Sequence, residues 1–415
     1  MREVNVGHKP LADYESILPK GLMNEIRELA EPLHGKRVLH VNATAFGGGV
    51  AEILYTLTPL MKDVGLEAEW QVITAPAPFY NVTKGFHNGL QGHDFSVTDE
   101  VREIYESVNK ANAEALSRHY DFVIIHDPQP LAMRSFAPPA MLADSHWIWR
   151  CHIDTSTPCR PLYDYLIPFI RGYEAAIYTL PEYAPANLGV PVVPIAPCID
   201  PLAPKNMVLP PEEARYITAQ FGIDVERPLL LQVSRFDPWK DPLGVVDVYR
   251  IVKAKYPEMQ LALVGSMASD DPEGWDYLEK VIEYVGSDPD VFVLSNLDNV
   301  GSVEINAFQS QAAVILQKST REGFGLTVSE GLWKARPTIG GAVGGIPLQI
   351  EDGVTGYLVD SVAECAQRCI VFLDEPERAR QMALAGKEHV RTHFLTPRLL
   401  RDDLRLFNDL LTGSI

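Results

Sequence analysis

The chain has 415 residues, 46% of them hydrophobic and 22% charged, with a formal net charge of −19 at pH 7. That length accommodates two domains with sizeable cores, and the acidic balance argues against a nucleic-acid or anionic-membrane partner. Residues 1–19 carry no apolar core of signal-peptide length, and no apolar run reaches the ~18 residues of a membrane-spanning helix, so a soluble, cytoplasmic protein is expected.

Residues 1–35 are mixed, with a short amphipathic stretch at 22–33. Arg37-Val38-Leu39-His40-Val41-Asn42 reads as a first strand, followed by the loop Ala45-Phe46-Gly47-Gly48-Gly49 and a helix over 50–61. Strand candidates at 70–74, 121–126, 146–150 and 176–179 alternate with helical stretches, which predicts a mostly parallel sheet covered on both faces. Residues 181–211 hold nine of the 32 prolines and read as an extended linker. A second alternation follows, with strand candidates at 229–234, 261–265, 291–294, 312–317 and 337–340. A last helix from Pro397 carries Leu399, Leu400, Leu404, Phe407 and Leu411 on one face. The expected domains are 1–195 and 196–390, with a C-terminal helix in 391–415 packing back on the first.

The five cysteines, at 151, 159, 198, 365 and 369, are too few and too scattered for a disulfide framework. Cys365 and Cys369 stand four apart on an expected helix and read as buried thiols rather than half of a metal site.

Two stretches of the second alternation bear chemistry. After its first strand comes Ser234-Arg235-Phe236-Asp237-Pro238-Trp239-Lys240-Asp241, which puts two cations at a strand's C-terminal end, where open α/β sheets bind ligands. Later, residues 319–334 read as strand end, glycine loop and helix start. Gly323 and Gly325 permit close backbone approach, and the N–H groups of the helix start favour an anion. Glu322 and Glu330 flank that anion site and suit hydroxyl donors on either side of it, the layout of a nucleotide sugar. A surface turn with two solvated glutamates is the competing reading. Neither Gly47 nor Gly323 starts a Gly-x-Gly-x-x-Gly, since Glu52 and Val328 stand at the sixth position, and neither loop ends in Gly-Lys-Ser/Thr. A P-loop is thereby excluded, and the missing fingerprint argues against a dehydrogenase.

Arg235…Lys240, the Glu322–Glu330 motif, Gly344-Gly345-Ile346-Pro347 and Asp352-Gly353-Val354-Thr355-Gly356-Tyr357 resemble, in order and spacing, the retaining glycosyltransferases of family four. The resemblance implies the GT-B fold, two Rossmann-like α/β domains facing across a cleft. In the first domain, Phe46-Gly47-Gly48-Gly49-Val50-Ala51-Glu52 and Trp149-Arg150-Cys151-His152-Ile153-Asp154 resemble the trehalose glycosyltransferring synthases, with fungal-type trehalose phosphorylases as near relatives. The opening loop lacks the Lys-Thr-Gly-Gly form of glycogen synthases, which counts against a glucan polymerase.

Carried onto this chain, the resemblance implies that Arg235 and Lys240, beside Ser234, hold the donor diphosphate. It implies that Glu330 binds ribose and Glu322 a glucose hydroxyl. The Glu322-Gly323-Phe324-Gly325-Leu326-Thr327 stretch would contact phosphate and sugar, and the Gly47–Gly49 loop would close on the diphosphate. His152 would meet the donor hydroxymethyl oxygen or the acceptor, and Val293, Leu294 and Asn296 the base. The implied activity is retaining transfer from a nucleoside-diphosphate glucose (UDP, ADP or GDP) to glucose, giving trehalose, with reversibility left open. Both carboxylates being assigned to hydroxyls, a front-face mechanism is expected, the departing phosphate deprotonating the acceptor. No cofactor or metal is required, although Mg2+ can accompany the nucleotide, and a homodimer is left open. The alternatives are trehalose phosphorolysis, another family-four transfer, or a degenerate GT-B module that binds sugar or nucleotide without catalysis.

Overall fold

The computed structural model describes residues 1–46, 48–186, 188–267 and 272–415, with backbone alone at 272 and 273. Gly47, assigned above to the diphosphate loop, lies outside the described residues. The chain divides into two units, residues 1–197 with 396–415, and residues 198–395.

The first unit is built on seven strands: β1 (Arg2–Glu3), β2 (Arg37–Asn42), β3 (Glu67–Val72), β4 (Phe122–His126), β5 (His146–Cys151), β6 (Ala175–Tyr178) and β7 (Val192–Pro194). Their spatial order is β1-β3-β2-β4-β5-β6-β7, parallel except for β1 against β3. The sequence Phe-Val-Ile-Ile-His of β4 is buried at every position, as a parallel strand covered on both faces requires. Because β3 and β4 flank β2 on opposite sides, the strand order reverses between β2 and β4. In register, His40 of β2 lies opposite Ile124, and His126 of β4 opposite Arg150 of β5.

The second unit has six parallel strands: β8 (Leu229–Val233), β9 (Gln260–Gly265), β10 (Val291–Ser295), β11 (Val314–Gln317), β12 (Thr338–Gly341) and β13 (Tyr357–Val359). Their order, β10-β9-β8-β11-β12-β13, is that of a dinucleotide-binding Rossmann sheet. The reversal lies between β8 and β11, so the loops leaving these two strands open side by side. Cys365 and Cys369 are buried in the core of this unit.

The apolar-run reading locates the longer strands but omits β1, β7 and β13, which are of two or three residues each. The linker reading of 181–211 holds in part: the chain passes from the first unit to the second at Pro197–Cys198, but the stretch also carries structure of its own. Pro181–Tyr183 forms a 3-10 turn and Val192–Pro194 pairs with β6 as an edge strand, where proline is tolerated because one backbone side needs no partner. The final helix, Thr396–Thr412, belongs to the first unit. Leu399, Leu400, Leu404 and Phe407 are buried, Phe407 stacks on Phe122 at 4.4 Å, and Arg405 pairs with Glu25 of the Leu22–Ala30 helix. Leu411, expected on the same face, is exposed because the helix runs past its support. Among the described residues no helix is long and apolar enough to cross a membrane.

Candidate functional site

The loop leaving β8 is shaped by its own aspartates. Asp237 Oδ1 accepts from the backbone N–H of Trp239 and of Lys240, tightening Pro238–Lys240 into a 3-10 turn. Asp241 takes a left-handed conformation and caps the Pro242–Lys255 helix by accepting from Gly244 N–H. The turn is tied to the β11 loop, since Thr320 N–H donates to the Trp239 carbonyl at 2.8 Å. Gln232 of β8 donates to the Lys240 carbonyl at 2.7 Å. Lys240 is thereby aimed at Glu322, and its Nζ lies 2.6 Å from Glu322 Oε2.

Both partners are largely buried, at 13% and 9% side-chain exposure. The same Glu322 oxygen accepts from Ser319 Oγ at 3.1 Å and Gln317 Nε2 at 3.3 Å. Burial alone would push the Glu322 carboxyl up. The Lys240 charge and the three hydrogen bonds outweigh it and hold the carboxyl below its ordinary value. Arg235 differs from Lys240, being 46% exposed with a guanidinium 3.2 Å from Asp237 Oδ2.

Gly325 opens the Leu326–Trp333 helix with φ +82°, and a Cβ there would sit 3.2 Å from Glu322 Cγ. Glycine therefore serves both the turn and the approach of Glu322. Gly345 is pressed on the same loop, since a Cβ would fall 2.7 Å from the Gly323 carbonyl. Gln349, one turn beyond, donates to the Phe324 carbonyl at 2.5 Å and accepts from Ser329 Oγ at 2.6 Å. The Gly-Gly-Ile-Pro motif thus braces the Glu322 loop from behind.

Glu330 has different partners. It is buried, accepts from Gln309 Nε2 at 2.9 Å and lies 3.4 Å from Lys205 Nζ. Val293 and Leu294 lie on β10, the edge strand beyond β9, and are half-buried. The Asn296 side chain is engaged at 2.7 and 3.1 Å with the Met267 backbone, which leaves this side chain a structural tie.

In the first unit Gly48 is extended and precedes the Gly49–Asp63 helix, and neighbouring Phe46 is 70% exposed. His152 follows β5. Its backbone N–H donates to Asp127 Oδ1 at 2.8 Å, and its ring nitrogen Nε2 lies 3.0 Å from His126 Nδ1. Asp127 itself takes a left-handed conformation, φ +63°, and burial pushes its carboxyl up to about 7 despite the His152 N–H and the Arg150 charge. His126 in turn meets His40 at 3.0 Å. The sequence reading omits His40, His126 and Asp127, and it omits Gln317, Ser319 and Gln349. A polar side chain inside a fully buried parallel strand is the signal that points to His40 and His126.

Comparison with known proteins bears on both units. Residues 40–185 match the family described as trehalose synthase, N-terminal domain, and residues 215–389 match glycosyl transferases group 1. The trehalose synthase of Rubrobacter xylanophilus is 59% identical over 415 residues, covering 99% of each chain. The chain belongs to the trehalose synthase family of glycosyltransferases. Solved structures agree on the fold. A sucrose-phosphate synthase from Thermosynechococcus elongatus superposes with a TM-score of 0.69 at 17% identity, covering 91% of this chain and 100% of that one. HepE from Anabaena, in complex with UDP-glucose, gives 0.64 at 14%, covering 91% and 99%. This member of the trehalose synthase family is thus a GT-B glycosyltransferase. Its Lys240–Glu322 pair falls in the group 1 region, and His40, His126 and His152 in the trehalose synthase region.

Proposed function

We propose that the chain transfers glucose from a nucleoside-diphosphate glucose to glucose with retention of configuration, producing trehalose. The observation that carries this reading is the buried Lys240–Glu322 pair at the β8/β11 strand reversal of a chain related along its whole length to a trehalose synthase. The bound ligand of HepE, a distant relative by fold, supports a nucleotide sugar as the donor class.

In this reading Lys240 keeps one N–H on Glu322 and offers another to the β-phosphate, where charge grows as the bond to glucose breaks. Arg235, exposed at the same loop, adds a fork of donors to the diphosphate. The start of the Leu326–Trp333 helix offers backbone N–H groups to the same anion. Glu322, kept ionised by its partners, accepts from a glucose hydroxyl, and Glu330 accepts from ribose. With both carboxylates so used, the leaving phosphate oxygen takes the acceptor's proton on the face from which it departs. No metal is assigned a step, and Mg2+ is placed with the nucleotide alone.

The test is to supply UDP-, ADP- or GDP-glucose with glucose and follow nucleoside diphosphate release. Release that requires glucose supports the reading. Release of glucose 1-phosphate from trehalose and inorganic phosphate, with no transfer from any nucleotide sugar, replaces it with phosphorolysis.

A further inference from the structure

Three imidazoles run as one hydrogen-bonded row through the first unit. His40 Nδ1 lies 3.0 Å from His126 Nε2, and His126 Nδ1 lies 3.0 Å from His152 Nε2. At the far end, His40 Nε2 faces the Met61 sulfur at 3.5 Å. His40 and His126 are fully buried, and His152 is partly exposed. Among the described residues His152 Nδ1 has no hydrogen-bond partner, nor is it one of the polar atoms sealed from solvent.

All three imidazoles are held below the ordinary histidine value, which favours the neutral form of each at pH 7. Burial is the main cause in each, and the Arg150 charge adds to it; His40 is brought down to about 3. A neutral imidazole carries one N–H and one lone pair. In a row of such rings the shared protons must all run the same way. If His40 donated through Nδ1, His126 would accept at Nε2 and donate through Nδ1, and His152 would accept at Nε2 and carry its proton on Nδ1. In the opposite polarity every ring carries its proton on Nε2.

Met61 decides between them. A thioether accepts weakly and donates nothing, so a buried His40 Nε2 has a partner only if it carries the proton. We propose that Met61, His40 and His126 are positioning residues that lock His152 in the Nε2–H tautomer, leaving its Nδ1 lone pair to accept a hydrogen bond from a sugar hydroxyl. The last clause rests on the reading of His152 as a sugar contact; the lock itself does not. The row ends at a sulfur inside the core, so it has no source from which to pass protons and acts by orientation. Of the charged groups around it, Asp127 accepts from the His152 backbone N–H, and Arg150 pairs with Asp403 and donates to the Ile195 carbonyl.

The experiment is nitrogen NMR of the unliganded full-length protein with labelled histidine at neutral pH. The lock predicts His40, His126 and His152 all neutral and protonated on Nε2. A His152 that is cationic, protonated on Nδ1 or divided between tautomers overturns it. Met61→Leu, which keeps the apolar volume, should leave the fold unchanged by circular dichroism and give His152 a mixture of tautomers. An unchanged single tautomer there removes Met61 from the proposal. No sugar enters this measurement, so loss of the transferase reading and loss of the lock are separate outcomes.

Discussion

At the scale of single residues, the two cations after β8 are of different kinds, and their variants should separate. Lys240→Ala leaves Glu322 buried with its main counter-charge gone. It should reduce turnover by roughly 10²–10³, as loss of a preorganised charge does, and destabilise the fold by about 3–5 kcal/mol. Arg235→Ala should reduce turnover comparably with little change in melting temperature, because its side chain is half in solvent. Equal melting shifts for the two variants would contradict the distinction. Glu330→Ala should weaken free nucleoside diphosphate by about 1.5–3 kcal/mol, measured by titration without sugar, while Glu322→Ala depresses transfer with little effect on that binding. The pH dependence of stability has two opposed sources. The buried histidines are kept from protonating, His40 down to about 3, whereas the unfolded chain binds those protons near 6.5. Their contribution is therefore present above pH 6.5 and lost as pH falls below it. Asp127 and Asp403, raised to about 7 and about 6 chiefly by burial, act the other way, contributing most in acid and losing that as pH rises through those values. Denaturant melts of His40→Phe should show a shallower fall in stability between pH 6.5 and 3 than wild type; an equal slope would mean His40 is protonated when folded. Glu322, Glu330, Lys240 and Arg235 are legible in the sequence because they cluster at fixed spacing in one short loop and one loop-to-helix stretch. The histidine row is not, since residues 40, 126 and 152 meet only through the strand register.

At the scale of elements, the parallel strands are legible for a physical reason. Covered on both faces, they are nearly unbroken apolar runs such as Leu229–Val233 and Gln260–Gly265, and these stand out from the amphipathic helices between them. The proline-rich segment holds the unit boundary but hides its strand, because proline reports only a fixed φ and a missing N–H, which an edge strand such as Val192–Pro194 tolerates as readily as a linker. The last helix is a part of the first unit rather than an appendage. It buries Leu399, Leu400, Leu404 and Phe407, and its Asp403 pairs at 3.3 Å with Arg150, an arginine buried in the core. Truncation after Leu395 should therefore strip hydrogen-exchange protection from residues 1–197 while residues 198–395 stay protected. Retained protection in the first unit would show that the helix is dispensable. Gly325→Ala tests the glycine loop. Adding a Cβ at φ +82° against Glu322 should cost about 1–2 kcal/mol of stability and lower transfer together with it; an unaffected enzyme would mean that the loop relaxes freely.

At the scale of the whole molecule, an acidic chain of net charge −19 handles, in this account, an anionic donor. The loops at the β8/β11 reversal supply the local cations that make this feasible, so raising ionic strength should weaken donor binding as Arg235 and Lys240 are screened. The α/β alternation in two domains follows from apolar periodicity, while the Rossmann-like pairing and the assignment to the trehalose synthase family need the motifs and the full-length relationship to known members. The central claim is the reaction itself, and it is tested most directly by nuclear magnetic resonance of the product formed from a nucleoside-diphosphate glucose and glucose carrying 13C at the anomeric carbon. The account predicts a single non-reducing disaccharide with both anomeric centres α, formed roughly 10²–10³-fold more slowly by Lys240→Ala. A disaccharide with a labelled reducing end, a β linkage, or no glycosidic bond to the labelled glucose at all would contradict it.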